Sequence, residues 1–397
     1  MRIAYVTADH GIPVFGDKGA SVHIQEMVRA LAGLGHDVTV FAARVGDGTD
    51  PLPADVHKVR AGKETGAGLE GMAKCRAKER HALAIGQQTA VEVATHHAAV
   101  PFDLIYERYS LWSAAGVRAG RDLGIPTVVE VNAPLIVEQE QYRKLALGDD
   151  AAAIEREVFS GADALAAVSV DVRDYVVEKG ADPSRAYVVA NGVDVSRFHP
   201  RVAASPTDIP GGRFVVGFAG SLKPWHGVDI LMDGFAQFCA QGNDAHLLLI
   251  GDGPMRPWIK GYIHAARLSD RITITDWVPN STLPGLLATV DVAVAPYPSL
   301  DRFYFSPLKV YEYLAMGLPV VASALGQIKA LIDDGKTGFL TRPGDAQDLA
   351  SKIAQLHADP KLRHEMGRSA TRAAQKHTWI GAAKTITDLA VGLRDAA

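Results

Sequence analysis

Short apolar strands alternate with helical runs along this chain, and the whole alternation is played twice. "RIAYVTA" reads as a strand, "DHGIPVFGDKGAS" as a glycine-rich loop, "VHIQEMVRALAGLG" as a helix and "DVTVFAA" as a strand, followed by "FDLIYER", "PTVVEVNA", "ALAAVS" and "AYVVANGV". Strands this continuously apolar belong in a parallel sheet covered by helices on both faces. The rhythm pauses over residues 191–213, "NGVDVSRFHPRVAASPTDIPGGR", where turn formers dominate, and then restarts with "RFVVGFAGSL". With 397 residues, more than one core usually holds, the reading is two Rossmann-like, doubly wound α/β domains, residues 1–195 and 196–379, with 191–213 as the linker. A final helix occupies residues 380–397, and the Ala-rich stretch 51–99 is expected to be helical. Two such domains facing each other place their strand carboxyl ends, and so their ligand loops, along a shared cleft suited to two substrates.

The formal net charge of −4 shows no basic excess, so nucleic acid is not the expected partner. Two cysteines, Cys75 and Cys239, lie far apart without metal-ligand spacing, which fits a reducing compartment. No run approaches a membrane span and the first residues read as a strand rather than a signal peptide, so a cytoplasmic location is expected. Peripheral membrane contact stays compatible with the sequence, and the oligomeric state is not legible in it.

The most informative stretch is "FYFSPLKVYEYLAMGLPVVAS". Ser306 and Pro307 look like an N-cap and first turn, Gly317 and Pro319 like a helix end. Lys309 then falls in the first turn, where the helix dipole disfavours a cation. Glu312 shares a face with Leu308, Ala315 and Met316, where packing is expected. An anionic, hydroxyl-rich ligand at the helix start explains both: backbone N–H groups from Ser306 to Lys309 take a phosphate, Lys309 adds charge, and Glu312 accepts from ribose hydroxyls. A surface Lys309–Glu312 pair, the plain alternative, leaves the apolar surroundings of Glu312 unexplained.

Other candidates sit at strand ends. The loop over residues 11–21 carries Gly11, Gly16 and Gly19 into a helix start, without the GxGxxG dinucleotide pattern. Glu130 and Asn132 end a strand; Glu107 and Arg108 end another, where they fit a mutual ion pair. In "GSLKPWHGVD", Lys223 and His226 are within reach of a phosphate, with Trp225 read as packing. "GDGP" offers a tight turn at Gly251 and Gly253, and "TDWVP" offers backbone donors and acceptors at Trp277 and Val278 for a base edge. Metalloprotease, thiol-redox, nucleophile-elbow and Walker motifs are absent from the sequence, as is a DxD near a strand end, so no metal site is expected.

Taken in order, "GDKGAS", "NGVD", "GSLKPWHGVD", "LIGDGP", "SPLKVYEYLAMGLPVVAS" and "DDGKTGFL" resemble retaining glycosyltransferases of the GT-B fold, family 4, over nearly the whole chain. The resemblance implies a nucleotide-diphosphate sugar, a UDP-sugar first, in the C-terminal domain and a small-molecule or glycan acceptor in the N-terminal one, with no cofactor and no metal. It implies ribose binding by Glu312, as the second glutamate of E-x7-E; diphosphate binding by Ser306, Pro307, Leu308 and Lys309 with Gly220, Ser221, Gly251 and Gly253; and base reading by the Trp277–Val278 backbone. The loop of Gly16, Lys18, Gly19, Ala20 and Ser21 closes over sugar and phosphate, and the last helix crosses back to the N-terminal domain.

Three positions depart from the family pattern. Tyr304 stands at the first glutamate of E-x7-E, with Asp301 as a substitute contact. Ser221 and His226 replace a basic pair, which leaves Lys223, His226 and Lys309, with Arg302 as a helper, to share the diphosphate. Asn132 replaces a histidine facing the donor sugar. The implied chemistry is same-face attack with retention, the leaving phosphate helping to deprotonate the acceptor, and domain closure about residues 191–213. A nucleotide-sugar 2-epimerase of the same fold and a non-catalytic nucleotide-sugar-binding subunit are the alternatives.

Overall fold

The computed structural model describes residues 1–48, 51–62, 68–300, 303–304 and 306–395. It divides into two units: Met1–Asn191 with Tyr304–Ser306 and Trp379–Ala397, and Gly192–Phe303 with Pro307–Thr378.

In the first unit the strands are β1 (Arg2–Thr7), β2 (Asp37–Ala42), β3 (Asp55–Lys58), β4 (Leu104–Arg108), β5 (Thr127–Val131), β6 (Ala164–Ala167) and β7 (Ala186–Val188). The helices are α1 (Gly19–Gly33), α2 (Gly71–Ala99), α3 (Ala115–Leu123), α4 (Leu135–Tyr142), α5 (Gly148–Gly161), α6 (Val170–Glu178) and, from the chain's end, α14 (Trp379–Asp395). The sheet order is β3-β2-β1-β4-β5-β6-β7, with every pairing parallel. Ile3, Ala4, Tyr5 and Val6 are fully buried in β1, as a strand covered on both faces requires. α14 packs along α1, and the Trp379 ring stands edge-on to His23 at 4.8 Å.

The second unit holds β8 (Phe214–Ala219), α7 (Val228–Ala240), β9 (Ala245–Ile250), α8 (Arg256–Ala265), β10 (Ile272–Ile274), α9 (Leu283–Leu287), β11 (Val292–Ala295), α10 (Leu308–Ala315), β12 (Val320–Ser323), α11 (Ile328–Leu331), β13 (Gly338–Thr341), α12 (Ala346–Ala358) and α13 (Pro360–Ala374). Its sheet order is β10-β9-β8-β11-β12-β13, again parallel throughout. Phe218, Leu231, Phe235, Phe238 and Leu249 fill its core. In both sheets the order reverses direction at one place, beside β1 and β4 and beside β8 and β11, and the loops at such a switch point are where ligands settle in open α/β sheets.

Three sequence expectations change. Residues 51–99 are not all helix: β3 lies among them and α2 begins only at Gly71. "DVHK" is a short edge strand without a buried residue, so it lacks the apolar run that identifies a strand. The chain passes between units at Asn191–Gly192, and the turn-rich stretch that follows lies against the second unit, where Arg197 Nη2 donates to the Asn280 carbonyl at 3.2 Å and the Ser205 N–H to the Gly285 carbonyl at 2.9 Å. Ser306 is not the cap of α10: the helix starts at Leu308 with Pro307 in the cap position and no side-chain cap bond. The Ser306 hydroxyl instead accepts the Asn191 N–H at 3.3 Å, and its carbonyl accepts Asn191 Nδ2 at 3.2 Å.

Candidate functional site

The carboxyl ends of β8 and β9 are joined by stacked glycine turns. Gly220 (φ 139°) donates its N–H to the Ile250 carbonyl at 2.9 Å, and the Leu222 N–H reaches the Asp252 carbonyl at 3.0 Å. A Cβ at Gly251 (φ 132°) would collide with the Gly220 carbonyl, and one at Gly253 would sit 2.5–2.8 Å from the Leu222 backbone. Side chains are excluded here by backbone-to-backbone approach.

Lys309 enters this floor from α10. Its Nζ is buried without a hydrogen-bond partner, 4.0 Å from the Phe218 ring centroid and 5.7 Å from that of Tyr297. A Cβ on Gly220 would lie 2.8 Å from it. Burial lowers the amine to about 7, against the pull of Glu312. A surface pair is therefore ruled out: an apolar and aromatic niche holds the amine at the start of a helix whose first-turn N–H groups have no side-chain cap. Glu312 is half-buried one turn on, between fully buried Tyr311 and Tyr313. The Tyr313 hydroxyl accepts the Ala219 N–H at 2.6 Å, which ties α10 to the end of β8. Sequence reasoning passed over Tyr313, whose apolar neighbours made it look like plain core.

His226 Nδ1 donates to the Ser221 carbonyl at 2.6 Å, and the ring lies near Phe218, Trp225 and Tyr297. Burial, then the charges of Lys309 and Lys223, push it down to about 3. The ring is neutral at physiological pH, so the expected charge-sharing by Lys223, His226 and Lys309 narrows to the two lysines. Lys223 Nζ rests 4.7 Å over the ring of Trp225, a residue 37% exposed. On the loop after β10, Trp277 is 57% exposed and follows Asp276 at φ 66°.

In the first unit, Gln25 of α1 donates to the carbonyls of Val14 at 2.9 Å and Gly16 at 3.0 Å, which anchors the glycine loop. A Cβ at Gly16 would lie 2.9 Å from Ser21 Oγ. Lys18 and Gly19 are exposed, Ala20 half-buried and Ser21 buried. Asn132 is half-buried, with a buried Nδ2 that lacks a hydrogen-bond partner. Glu130 faces inward instead, against the ring Nε2 of His23, whose basicity burial lowers, and 3.8 Å from Arg108. Arg108 and Glu107 do not pair, because neighbours on a strand point to opposite faces; Glu107 accepts from Ser113 Oγ at 3.2 Å and from the Gly116 N–H at 3.0 Å. His23 and the Glu130 role were missed in the sequence, where nothing marks a helix residue and a strand residue as partners.

Tyr304 is engaged in the first unit. Its hydroxyl donates to Glu138 of α4 at 2.7 Å, and its carbonyl accepts from Ser169 Oγ at 3.0 Å. The hydroxyl at the first-glutamate position of E-x7-E is thus bound to a carboxylate of α4. Asp301 and Arg302 lie outside the described residues.

Two Rossmann-like units, each built on a parallel sheet with ligand turns at its strand ends, make up the GT-B fold. The chain belongs to the group 1, family 4 glycosyltransferases: the family model "Glycosyltransferase Family 4" matches residues 18–197, and "Glycosyl transferases group 1" matches 213–359. It is 28% identical over 397 residues to D-inositol 3-phosphate glycosyltransferase 2 of Catenulispora acidiphila, covering 95% of this chain and 91% of the relative. In fold it is similar to sucrose-phosphate synthase from Thermosynechococcus elongatus, at a TM-score of 0.72 with 21% identity and full coverage of both chains. It is likewise similar to Anabaena HepE in complex with UDP, at 0.71 with 21% identity, covering 98% of this chain and 99% of that one. Among the described residues no helix is long and apolar enough to cross a membrane.

Proposed function

We propose that this chain moves a hexosyl or N-acetylhexosaminyl group from a nucleotide-diphosphate sugar, a UDP-sugar first among them, to an acceptor hydroxyl with retention of configuration. The observation that carries the reading is the buried Lys309 amine at the uncapped start of α10. A diphosphate there meets first-turn N–H groups and an amine that gains its charge as the anion arrives, in a low-dielectric niche where such charges act most strongly on a developing anion. Gly220, Ser221, Gly251 and Gly253 let the phosphates approach the backbone, and Pro307 and Leu308 shape the helix start. Glu312 binds ribose hydroxyls, Lys223 adds a second positive charge, and the neutral His226 packs the turn. The Trp277–Val278 backbone reads the base.

The bond from the sugar's anomeric carbon to the diphosphate oxygen breaks as the acceptor oxygen bonds to the same face of that carbon. The acceptor proton passes to the leaving phosphate oxygen. Lys309 and the helix N–H groups compensate the charge that grows on the diphosphate, so no metal ion is required. The acceptor, a small molecule or glycan such as the polyol phosphate named for the Catenulispora relative, belongs with the N-terminal unit. There Gly16 and Lys18 of the glycine loop, with Gly19, Ala20 and Ser21 in the first turn of α1, lie over it, and Asn132 is the polar contact for the transferred sugar.

The test is a thermal-shift panel of UDP, ADP and GDP, each with magnesium or with EDTA. Saturating ligand at a hundred times its Kd adds about 2.7 kcal/mol. Stabilisation by one nucleoside diphosphate, indifferent to EDTA, is the expected result, and the matching sugar nucleotides then enter an acceptor screen with the product's anomeric configuration read by NMR. A chain stabilised by none of the three does not bind a donor. One that interconverts two nucleotide sugars without acceptor is an epimerase.

A further inference from the structure

Asp276 is one of two non-glycine residues with positive φ among the described residues, at 66°. Aspartate visits this region more readily than most residues, yet something must hold it there. An isolated antiparallel bridge pairs Asp276 with Gly251, Thr275 Oγ1 donates to the Asp276 carbonyl at 2.9 Å, and the Gly251 N–H donates to Thr275 Oγ1 at 3.3 Å. The Asp276 carboxylate forms an ion pair with Arg256 Nη1. The same nitrogen lies 3.3 Å from Asp252 Oδ1, which also accepts the Gly253 N–H at 2.8 Å. Arg256 opens α8, so a single guanidinium joins the glycine turn after β9 to the turn after β10.

The two carboxylate side chains are 49% and 62% exposed, and ion pairs this open contribute little to stability. What the arrangement controls is direction. The peptides that follow Asp276 belong to Trp277 and Val278, and their orientation depends on the φ that Arg256 helps to hold. A pyrimidine imide edge carries an N–H between two carbonyls, and one rigid peptide stretch pairs with it through an N–H and a C=O together. A turn free to rotate loses orientation on binding and with it discrimination between bases.

We propose that Arg256 and Asp276 are positioning residues for the nucleobase, clamping the turn that presents the Trp277–Val278 backbone, while capture of the diphosphate at α10 does not depend on them. The proposal rests on the donor reading above and adds to it how base selection is enforced.

Calorimetry with UDP, ADP, GDP and inorganic pyrophosphate on the wild type, Arg256→Gln, Arg256→Lys and Asp276→Asn tests it. In Arg256→Gln and Asp276→Asn the nucleoside diphosphate that binds the wild type most tightly is expected to weaken about tenfold, which is the loss of roughly one hydrogen bond. Its margin over the other two narrows, pyrophosphate stays within about twofold, and Arg256→Lys falls between wild type and Arg256→Gln. Equal weakening of pyrophosphate and nucleotide marks a merely structural pair and overturns the proposal, as does unchanged base preference in both variants. A wild type that binds pyrophosphate no worse than any nucleotide overturns it too, because then no base is read. A wild type that binds none of the four probes removes the donor reading itself, a result distinct from the others.

Discussion

Gly220 and Lys309 exclude each other's alternatives: a Cβ on Gly220 would stand 2.8 Å from Lys309 Nζ, and the amine occupies that space against the Phe218 ring. Gly220→Ala is therefore expected to displace the amine and also to strain a residue at φ 139°. Lys309→Met keeps the shape and removes the charge. Its turnover should fall about a hundredfold or more, the scale of losing one preorganised donor at a developing oxyanion, while its melting temperature holds or rises. Steady-state kinetics beside calorimetric melting checks this; near-normal turnover takes Lys309 out of the diphosphate site.

The Lys309 amine sits at about 7 in the free protein, far below its value in an unfolded chain. A base whose folded pKa is lowered costs stability wherever the unfolded chain is protonated and the native amine resists protonation. That cost shrinks as pH rises from about 7 towards about 10.4 and is constant below about 7. Nucleotide binding runs the other way. Below about 7 the amine is already charged, and above it binding must take up a proton, so UDP affinity should fall towards tenfold per pH unit. Titration at pH 6, 7, 8 and 9 in two buffers of different ionisation heat reads both the slope and the proton uptake, and Lys309→Met should flatten the slope.

Glu312 offers a charged acceptor to paired hydroxyls. Glu312→Gln should raise the donor KM by about tenfold to a hundredfold, the span of one hydrogen bond to a charged group, and should leave pyrophosphate binding unchanged. An unaltered KM for the sugar nucleotide would sink the ribose assignment.

Burial by itself would raise the Glu130 carboxyl, but the contact with His23, the Arg108 charge and a hydrogen bond from Tyr106 outweigh it and bring it down to about 2. Removing its charge in Glu130→Gln leaves Arg108 buried without its partner and should cost about 3 kcal/mol, measurable by urea unfolding. The sign with pH follows from the lowered carboxyl: its contribution is present above about 4.3 and is lost as pH falls through about 2. A Glu130→Gln acid-unfolding curve that overlays the wild type would contradict the pair.

Tyr304→Phe removes the hydroxyl that Glu138 holds at 2.7 Å. The expected result is a loss of about 1 kcal/mol in stability with donor KM within about twofold, because that hydroxyl is engaged on α4. A change in which sugar is accepted would instead return Tyr304 to the donor sugar.

The alternation of apolar strands with helices was enough to announce two parallel sheets, since only a strand covered on both faces reads as a continuous apolar run. The pairing of Lys309 with Glu312 on one short helix was visible as two residues in the wrong places for stability alone. β3 was not, because a half-exposed edge strand needs no apolar pattern. Nor was the fate of Ser306: a serine before a proline looks like a cap until Asn191 is brought to it.

What the sequence by itself determined, then, is much of the local order: which continuously apolar runs are strand, which periodic runs are helix, and where glycines leave the backbone open. Those follow from propensity and periodicity, which act over a few residues. Only the tertiary structure decided that Lys309 meets Phe218 and Gly220, that His23 meets Glu130, that one arginine joins Asp252 to Asp276, and that Tyr304 turns to Glu138. Each of those contacts is made by sheet register and helix packing, which bring together side chains distant along the chain. Burial then sets their charge states, and no local pattern records either.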